Sequence, residues 1–92
     1  MDVYAQIVES IIRHQEAIIG PVAVEQAEQI PDIKLDWSKH EVTIQGDPAK
    51  AVDKLITVYK NLFGQISVEV SKEAASPLLG RIQSGHMPHM LQ

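Results

Sequence analysis

The sequence contains no cysteine. This absence excludes disulfide bonds, thiolate nucleophiles and thiolate-bound metals, and with them the disulfide framework typical of a small secreted scaffold. The first residues also lack the basic flank and the unbroken apolar run of a secretion signal. We therefore expect a cytoplasmic protein.

Long apolar runs and an excess of basic charge are missing as well. The longest apolar stretches are of the size of Ala17-Ile18-Ile19, so we expect no membrane span. Eight Lys and Arg residues against twelve Asp and Glu residues give a net charge of −4. The basic residues are scattered among acids, whereas a nucleic-acid surface concentrates them. Neither a membrane nor a nucleic acid is therefore an expected partner.

Aromatic residues make up only 4% of the chain, but 45% of its residues are hydrophobic. A chain of ninety-two residues is long enough for one domain. Because aromatic residues are few, the core of this domain must consist mainly of aliphatic side chains. A chain of this size buries a limited share of its surface, and small domains often gain stability by oligomerising. We predict a single compact domain over residues 1–77 and a flexible C-terminal tail over residues 78–92.

The N-terminal segment has the periodicity of an amphipathic helix. Apolar residues between positions 2 and 19 recur at helical spacing and cover an arc of about 160°, wider than the stripe that one core requires. We therefore expect this helix to contact two partners. Gly20 and Pro21 end it and begin a second, short helix that extends to about Gln29.

The middle of the chain alternates apolar and polar residues, as strands do. Residues 33–37 and 41–45 follow this pattern, and the short connection over residues 38–40 makes them a hairpin. Residues 46–48, Gly-Asp-Pro, then supply a turn, an N-cap carboxylate and a proline for the first position of a helix. This third helix runs to about Leu62, with Leu62 on its apolar face.

The segment 65–75 also alternates, which by itself is typical of a strand. However, the shift that places Gly20 on Gly64 also places Val24 on Val68, which suggests a repeated helix–glycine–helix unit. Chance similarity between two amphipathic segments is the alternative. By analogy with the first copy we predict a helix over 65–75, with a strand as the second possibility.

The predicted fold is therefore α+β, in the order α-α-β-β-α-α, with a two-stranded antiparallel hairpin packed on helices. A lone hairpin has two unpaired edges and is marginally stable unless its apolar face is covered. Edge-to-edge pairing with a symmetry mate would extend it to four strands across a dimer.

No motif in the sequence defines an enzyme. In the tail, His86 and His89 alternate with thioethers that suit a soft metal, but no further ligands stand nearby, so we predict no metal and no cofactor. One alternative is a ligand sensor or enzyme with a pocket between helices, whose polar groups would be His14 with Tyr4 or Tyr59. Another is a weak nucleic-acid binder that uses the Gly20 helix–turn–helix elbow, which lacks nearby basic residues.

We expect a non-catalytic interaction or regulatory module that forms a homodimer or binds another protein. The wide apolar arc of the first helix leads to this hypothesis. Gln15 falls within the arc, where a buried amide must find a partner and can set the register of two helices. The residues predicted to form the interface are Tyr4, Ile7, Ile11, Gln15 and Ile18, with Trp37 as an aromatic anchor.

Overall fold

The computed structural model describes residues 1–83 and 85–92, and over these residues it has the predicted order α-α-β-β-α-α. The α+β class with one antiparallel hairpin is therefore confirmed. None of the helices in this part of the chain has the length and apolar character of a membrane-crossing segment. The elements are α1 (Val3–Ile19), α2 (Val22–Glu28), β1 (Ile33–Asp36), β2 (Glu41–Ile44), α3 (Pro48–Phe63) and α4 (Gln65–Ala75).

The two long helices begin at aspartate caps. The Asp2 carboxylate accepts a hydrogen bond of 2.9 Å from the N–H of Ala5 at the start of α1. The Asp47 carboxylate accepts one of 3.0 Å from the N–H of Ala49, and Pro48 occupies the first position of α3. These contacts satisfy N–H groups that have no partner within the helix.

The hairpin buries one face and exposes the other. Ile33 pairs with Ile44 and Leu35 with Val42 on the inner face, which packs on the helices. The outer face carries Lys34, Asp36, Glu41 and Thr43, all exposed. A short 3-10 turn, Trp37–Lys39, joins the strands and ends at His40, which has a left-handed backbone with φ 51°. This alternation is the one expected for a sheet with a single buried side.

The turns at Gly20 and Gly64, which we call the elbows, have the same backbone geometry. Gly20 has φ 79° and ψ −160°, and Gly64 has φ 84° and ψ −171°. In each copy the glycine N–H donates to the carbonyl four residues earlier, and the glycine carbonyl accepts from the N–H three residues later, over 2.8–3.1 Å. The repeated helix–glycine–helix unit is thus present in three dimensions. Residues 65–75 are helical as predicted, and the strand alternative is wrong.

The two copies are joined by reciprocal hydrogen bonds. The Gln15 side-chain amide donates to the Ser67 carbonyl over 2.9 Å, and the Tyr59 hydroxyl donates to the Ala23 carbonyl over 2.7 Å. The shift that places Gly20 on Gly64 also places Gln15 on Tyr59 and Ala23 on Ser67. Each copy therefore donates one side chain to the elbow of the other, as in a pseudo-two-fold arrangement.

The core lies between the four helices and the inner face of the hairpin. Helix α1 packs against α2, α3, α4 and β2 of its own chain, which accounts for the width of its apolar arc. The fully buried large apolar side chains on α1 and α3 are Ile7, Val8, Ile11, Ile12, Val52, Leu55, Ile56 and Tyr59.

The end of the chain packs on α3 and α4 through a short 3-10 turn, His89–Leu91. Pro88 and Leu91 are buried there. The domain boundary after residue 77 and the flexibility of residues 78–92 in solution stay predictions.

The elbow glycines supply a test of the repeat. We expect Gly20→Ala and Gly64→Ala each to lower the free energy of unfolding by about 1–3 kcal/mol, because residues with a side chain rarely adopt this backbone conformation. Apart from the adjacent residues, no atom of the described residues lies within 4 Å of an added Cβ at either position, so the loss arises from backbone strain and not from a clash. Urea denaturation followed by circular dichroism measures the change.

Gly80→Ala is the matched control, because its surroundings are equally open and its φ lies outside the strained positive range. We expect it to change stability by less than about 0.5 kcal/mol. Losses of similar size at all three glycines would contradict the account.

Candidate interaction surface

The amide of Gln15 has its partners within the same chain. Gln15 is 1% exposed, and its Nε2 donates to the Ser67 carbonyl and, over 3.2 Å, to the Ser71 hydroxyl. Further along the same helix pair, the Ser10 hydroxyl donates to the Ala74 carbonyl over 2.8 Å. These buried contacts set the antiparallel register of α1 and α4, since shifting one helix would leave polar groups unpaired.

Tyr59 plays the corresponding role between α3 and α2. Its side chain is fully buried, and burial, with a contribution from the negative charge of Glu16, raises the pKa of its phenol well above the ordinary value of 10.0. The hydroxyl therefore stays protonated at neutral pH and acts as a hydrogen-bond donor to the Ala23 carbonyl.

Two carboxylates of α1 hold the hairpin turn. The Trp37 indole N–H donates to the Glu16 carboxylate over 3.2 Å, and His40 Nδ1 donates to the Glu9 carboxylate over 3.0 Å. The two rings contact each other with their centroids 4.2 Å apart and their planes tilted by 35°. Glu9 also accepts from Arg13 Nε at 3.0 Å. The turn is thus attached to α1 by polar contacts as well as by packing.

The six residues predicted to form an interface occupy different environments. Three of them are buried by contacts within the chain itself, namely Ile7, Ile11 and Gln15. Tyr4 and Trp37 are half-buried, and the Tyr4 hydroxyl donates to the His86 carbonyl over 3.0 Å. Ile18 is 65% exposed. The interface role of these residues stays a prediction, and Ile18 is the one most open to a partner.

Large exposed aliphatic side chains gather where the elbows lie. Ile18 is in the last turn of α1 and Ile66 in the first turn of α4, so the antiparallel register puts both at the same end of this helix pair. Leu62 is in the last turn of α3, just before Gly64. Leu62 is 53% exposed and Ile66 is 72% exposed. We call these three exposed positions beside the elbows, Ile18, Leu62 and Ile66, the elbow face.

The chain segments around the elbow face carry no charge. Neither residues 17–24 nor residues 61–68 include a charged side chain. Depletion of charge around exposed apolar groups is typical of the centre of a protein–protein interface. The charged residues that border the first elbow are both acidic, Glu16 and Glu25, which disfavours a phosphate ligand there.

Sequence reasoning missed Leu62 and Ile66. Leu62 has the spacing of the buried face of α3, but it lies in the last turn of the helix, where its side chain stays exposed. A signal was nevertheless present, because the shift that aligns the two glycines places Ile18 on Leu62. The two residues occupy equivalent places beside their elbows.

The histidines and the tail form no metal site in the part of the chain that is described, where no group of three or more His, Cys, Asp or Glu is placed to hold an ion. His14 Nδ1 donates to the Ser10 carbonyl over 2.7 Å. The Asp53 carboxylate accepts from the backbone N–H groups of His89, over 3.0 Å, and Met90, over 2.8 Å. Nothing in the sequence pattern distinguishes Asp53 from a solvated surface carboxylate.

Comparison of the chain with models of protein families, with curated proteins and with solved structures finds no match.

Tyr59→Phe tests the reciprocal contact. We expect this change to lower the free energy of unfolding by about 1 kcal/mol near neutral pH, because the hydrogen bond to Ala23 is lost. The substitution should also make the free energy of unfolding decrease less steeply as the pH rises into the alkaline range. The folded-state pKa is raised, so the stabilisation from Tyr59 is complete below about pH 10, where unfolded tyrosine ionises, and decreases as the pH rises beyond that value.

Urea denaturation of both proteins between about pH 8 and about pH 11 measures the difference, since the other groups that titrate there are shared. Parallel pH profiles for wild type and variant would show that Tyr59 is not held protonated by the fold.

Proposed function

We propose that the protein is a non-catalytic interaction module that associates with a second copy of itself through the elbow face. The observation that carries the proposal is the set of three exposed aliphatic side chains beside the elbows, in chain segments that contain no charged residue. Full burial of an aliphatic side chain contributes about 1.5–3 kcal/mol, so covering Ile18, Leu62 and Ile66 supplies a driving force for association. The sequence analysis also allows a regulatory role. Such a role would follow if this association were controlled.

A second molecule of the same protein suits the elbow face as a partner for two reasons. Two chains with a net charge of −4 repel each other least where the contact surface carries no charge. A two-fold dimer also requires the same patch on both subunits. Ile18 and Leu62 hold equivalent positions in the two copies of the repeat, so the face presents similar groups on either side of its centre.

Pairing of hairpin edges across a dimer is the alternative arrangement. Strands β1 and β2 have only four residues each, and the Val42 N–H already donates to the thioether of Met1 over 3.2 Å. The outer face beside these edges carries the charges of Lys34, Asp36 and Glu41. Short, charged strands resist edge pairing, which favours the elbow face as the contact surface.

Ile66→Glu tests the contact surface. Ile66 is exposed and lies in the first turn of α4, where a glutamate suits the helix, so the folded monomer should keep its stability. Burying the new carboxylate between two copies is unfavourable, and we expect the dimer dissociation constant to rise by at least about tenfold. Sedimentation velocity over a concentration series up to about 0.5 mM gives this constant.

Thr43→Glu is the matched control, since it makes the same change of charge at an exposed position on the hairpin. It should leave the dissociation constant within about twofold of wild type. A wild-type protein that remains monomeric over the whole range would refute the proposal. So would equal weakening by the two variants.

A further inference from the structure

Residues 86–92 pass over the second half of the chain, where their 3-10 turn contacts both α3 and α4. Two apolar side chains of this segment, Pro88 and Leu91, are buried. Between them, two consecutive backbone N–H groups donate to the Asp53 carboxylate over 3.0 and 2.8 Å. We call the surface of α3 and α4 that receives the two side chains and the two N–H groups the Asp53 site.

The Asp53 site recognises backbone, whereas its equivalent in the first half recognises side chains. Glu9 accepts from the side chains of Arg13 and His40. Asp53 accepts from N–H groups that every residue except proline has. A carboxylate also makes stronger hydrogen bonds to N–H groups than a neutral acceptor does. The Asp53 site can therefore hold other peptide segments, provided that apolar side chains occupy the places of Pro88 and Leu91.

The segment that occupies the Asp53 site has local hydrogen bonds of its own. The Leu91 N–H donates to the Pro88 carbonyl over 3.0 Å, a contact that a detached segment could also form. The Tyr4 hydroxyl adds a contact to the His86 carbonyl. Ordering the backbone of the segment on the site has an entropic cost, which opposes these contacts and the burial of two side chains. This balance favours exchange of the segment for a competing peptide.

We propose that the Asp53 site binds a short peptide segment of a partner protein, and that residues 86–92 occupy the site until the partner displaces them. The peptide presents two apolar residues three positions apart, in the places of Pro88 and Leu91. The two residues between them donate their N–H groups to the Asp53 carboxylate. The site is formed by residues outside the elbow face, so the proposal does not depend on the proposed dimer.

The probe is an N-acetylated peptide of residues 86–92. Its receptor is the ¹⁵N-labelled full chain with Leu91→Ser, which removes a buried side chain of the attached segment. We expect saturable amide shifts in α3 and α4. The dissociation constant should be at least about tenfold lower than for the wild-type chain, whose own segment competes at a high effective concentration. The full chain with His89→Pro is a second receptor, which loses one N–H to Asp53 and keeps both buried side chains.

Two altered peptides separate recognition of the backbone from recognition of the side chain. His89→Pro removes an N–H that donates to Asp53, at the first position of the turn, where proline fits. His89→Ala is the matched control, because it removes the imidazole and keeps that N–H. We expect the proline peptide to bind at least about fivefold more weakly than the alanine peptide, which should stay within about twofold of the parent peptide.

Spectra of the unliganded receptors that match wild type away from the Asp53 site verify the fold. Equal affinity of the two altered peptides would overturn the proposal, as would equal affinity of the parent peptide for the wild-type and Leu91→Ser chains. Absence of saturable shifts in α3 and α4 with both receptors would overturn it as well. Intermolecular contacts between residues 86–92 of one wild-type molecule and α3 of another would make a second copy the occupant, and would contradict a separate partner.

Discussion

Two buried hydrogen bonds, from the Gln15 amide to the Ser67 carbonyl and from the Tyr59 hydroxyl to the Ala23 carbonyl, determine how the two halves of the chain fit together. Each bond runs from a long helix of one half to the elbow of the other half. A buried donor without a partner is costly, so a different register of the helices would lose these hydrogen bonds as well as packing contacts. The elbows consequently lie at the same end of the pair formed by α1 and α4, and Ile18, Leu62 and Ile66 stay exposed beside them.

The duplication extends to the way in which each half holds the segment that follows it. Glu9 and Asp53 occupy equivalent positions under the shift that relates Gly20 to Gly64. Glu9 accepts from His40 in the hairpin turn, which follows the first half. Asp53 accepts from backbone N–H groups of the C-terminal segment, which follows the second half. The equivalent acidic residues of the two long helices therefore both accept hydrogen bonds from the segment that follows, with different partners.

Local periodicity was sufficient for the first three helices and for the hairpin, because helices and strands expose their apolar faces at different spacings. Over residues 65–75 the two spacings conflict, and only the comparison with the segment after Gly20 favoured the helix. Which apolar residues stay exposed depends on contacts between residues far apart in the chain, and periodicity holds no information on these. Ile11 and Ile18 are equally apolar members of one helix, yet the packing of α1 within the chain buries Ile11 and leaves Ile18 exposed.

In the proposed dimer, the elbow face of one molecule contacts the elbow face of a second. The most direct measurement is an isotope-filtered NMR experiment on a mixture of methyl-labelled and unlabelled protein, which detects contacts between chains only. We expect intermolecular contacts among the methyl groups of Ile18, Leu62 and Ile66. Intermolecular contacts confined to the hairpin, or none at a concentration of about 1 mM, would contradict it.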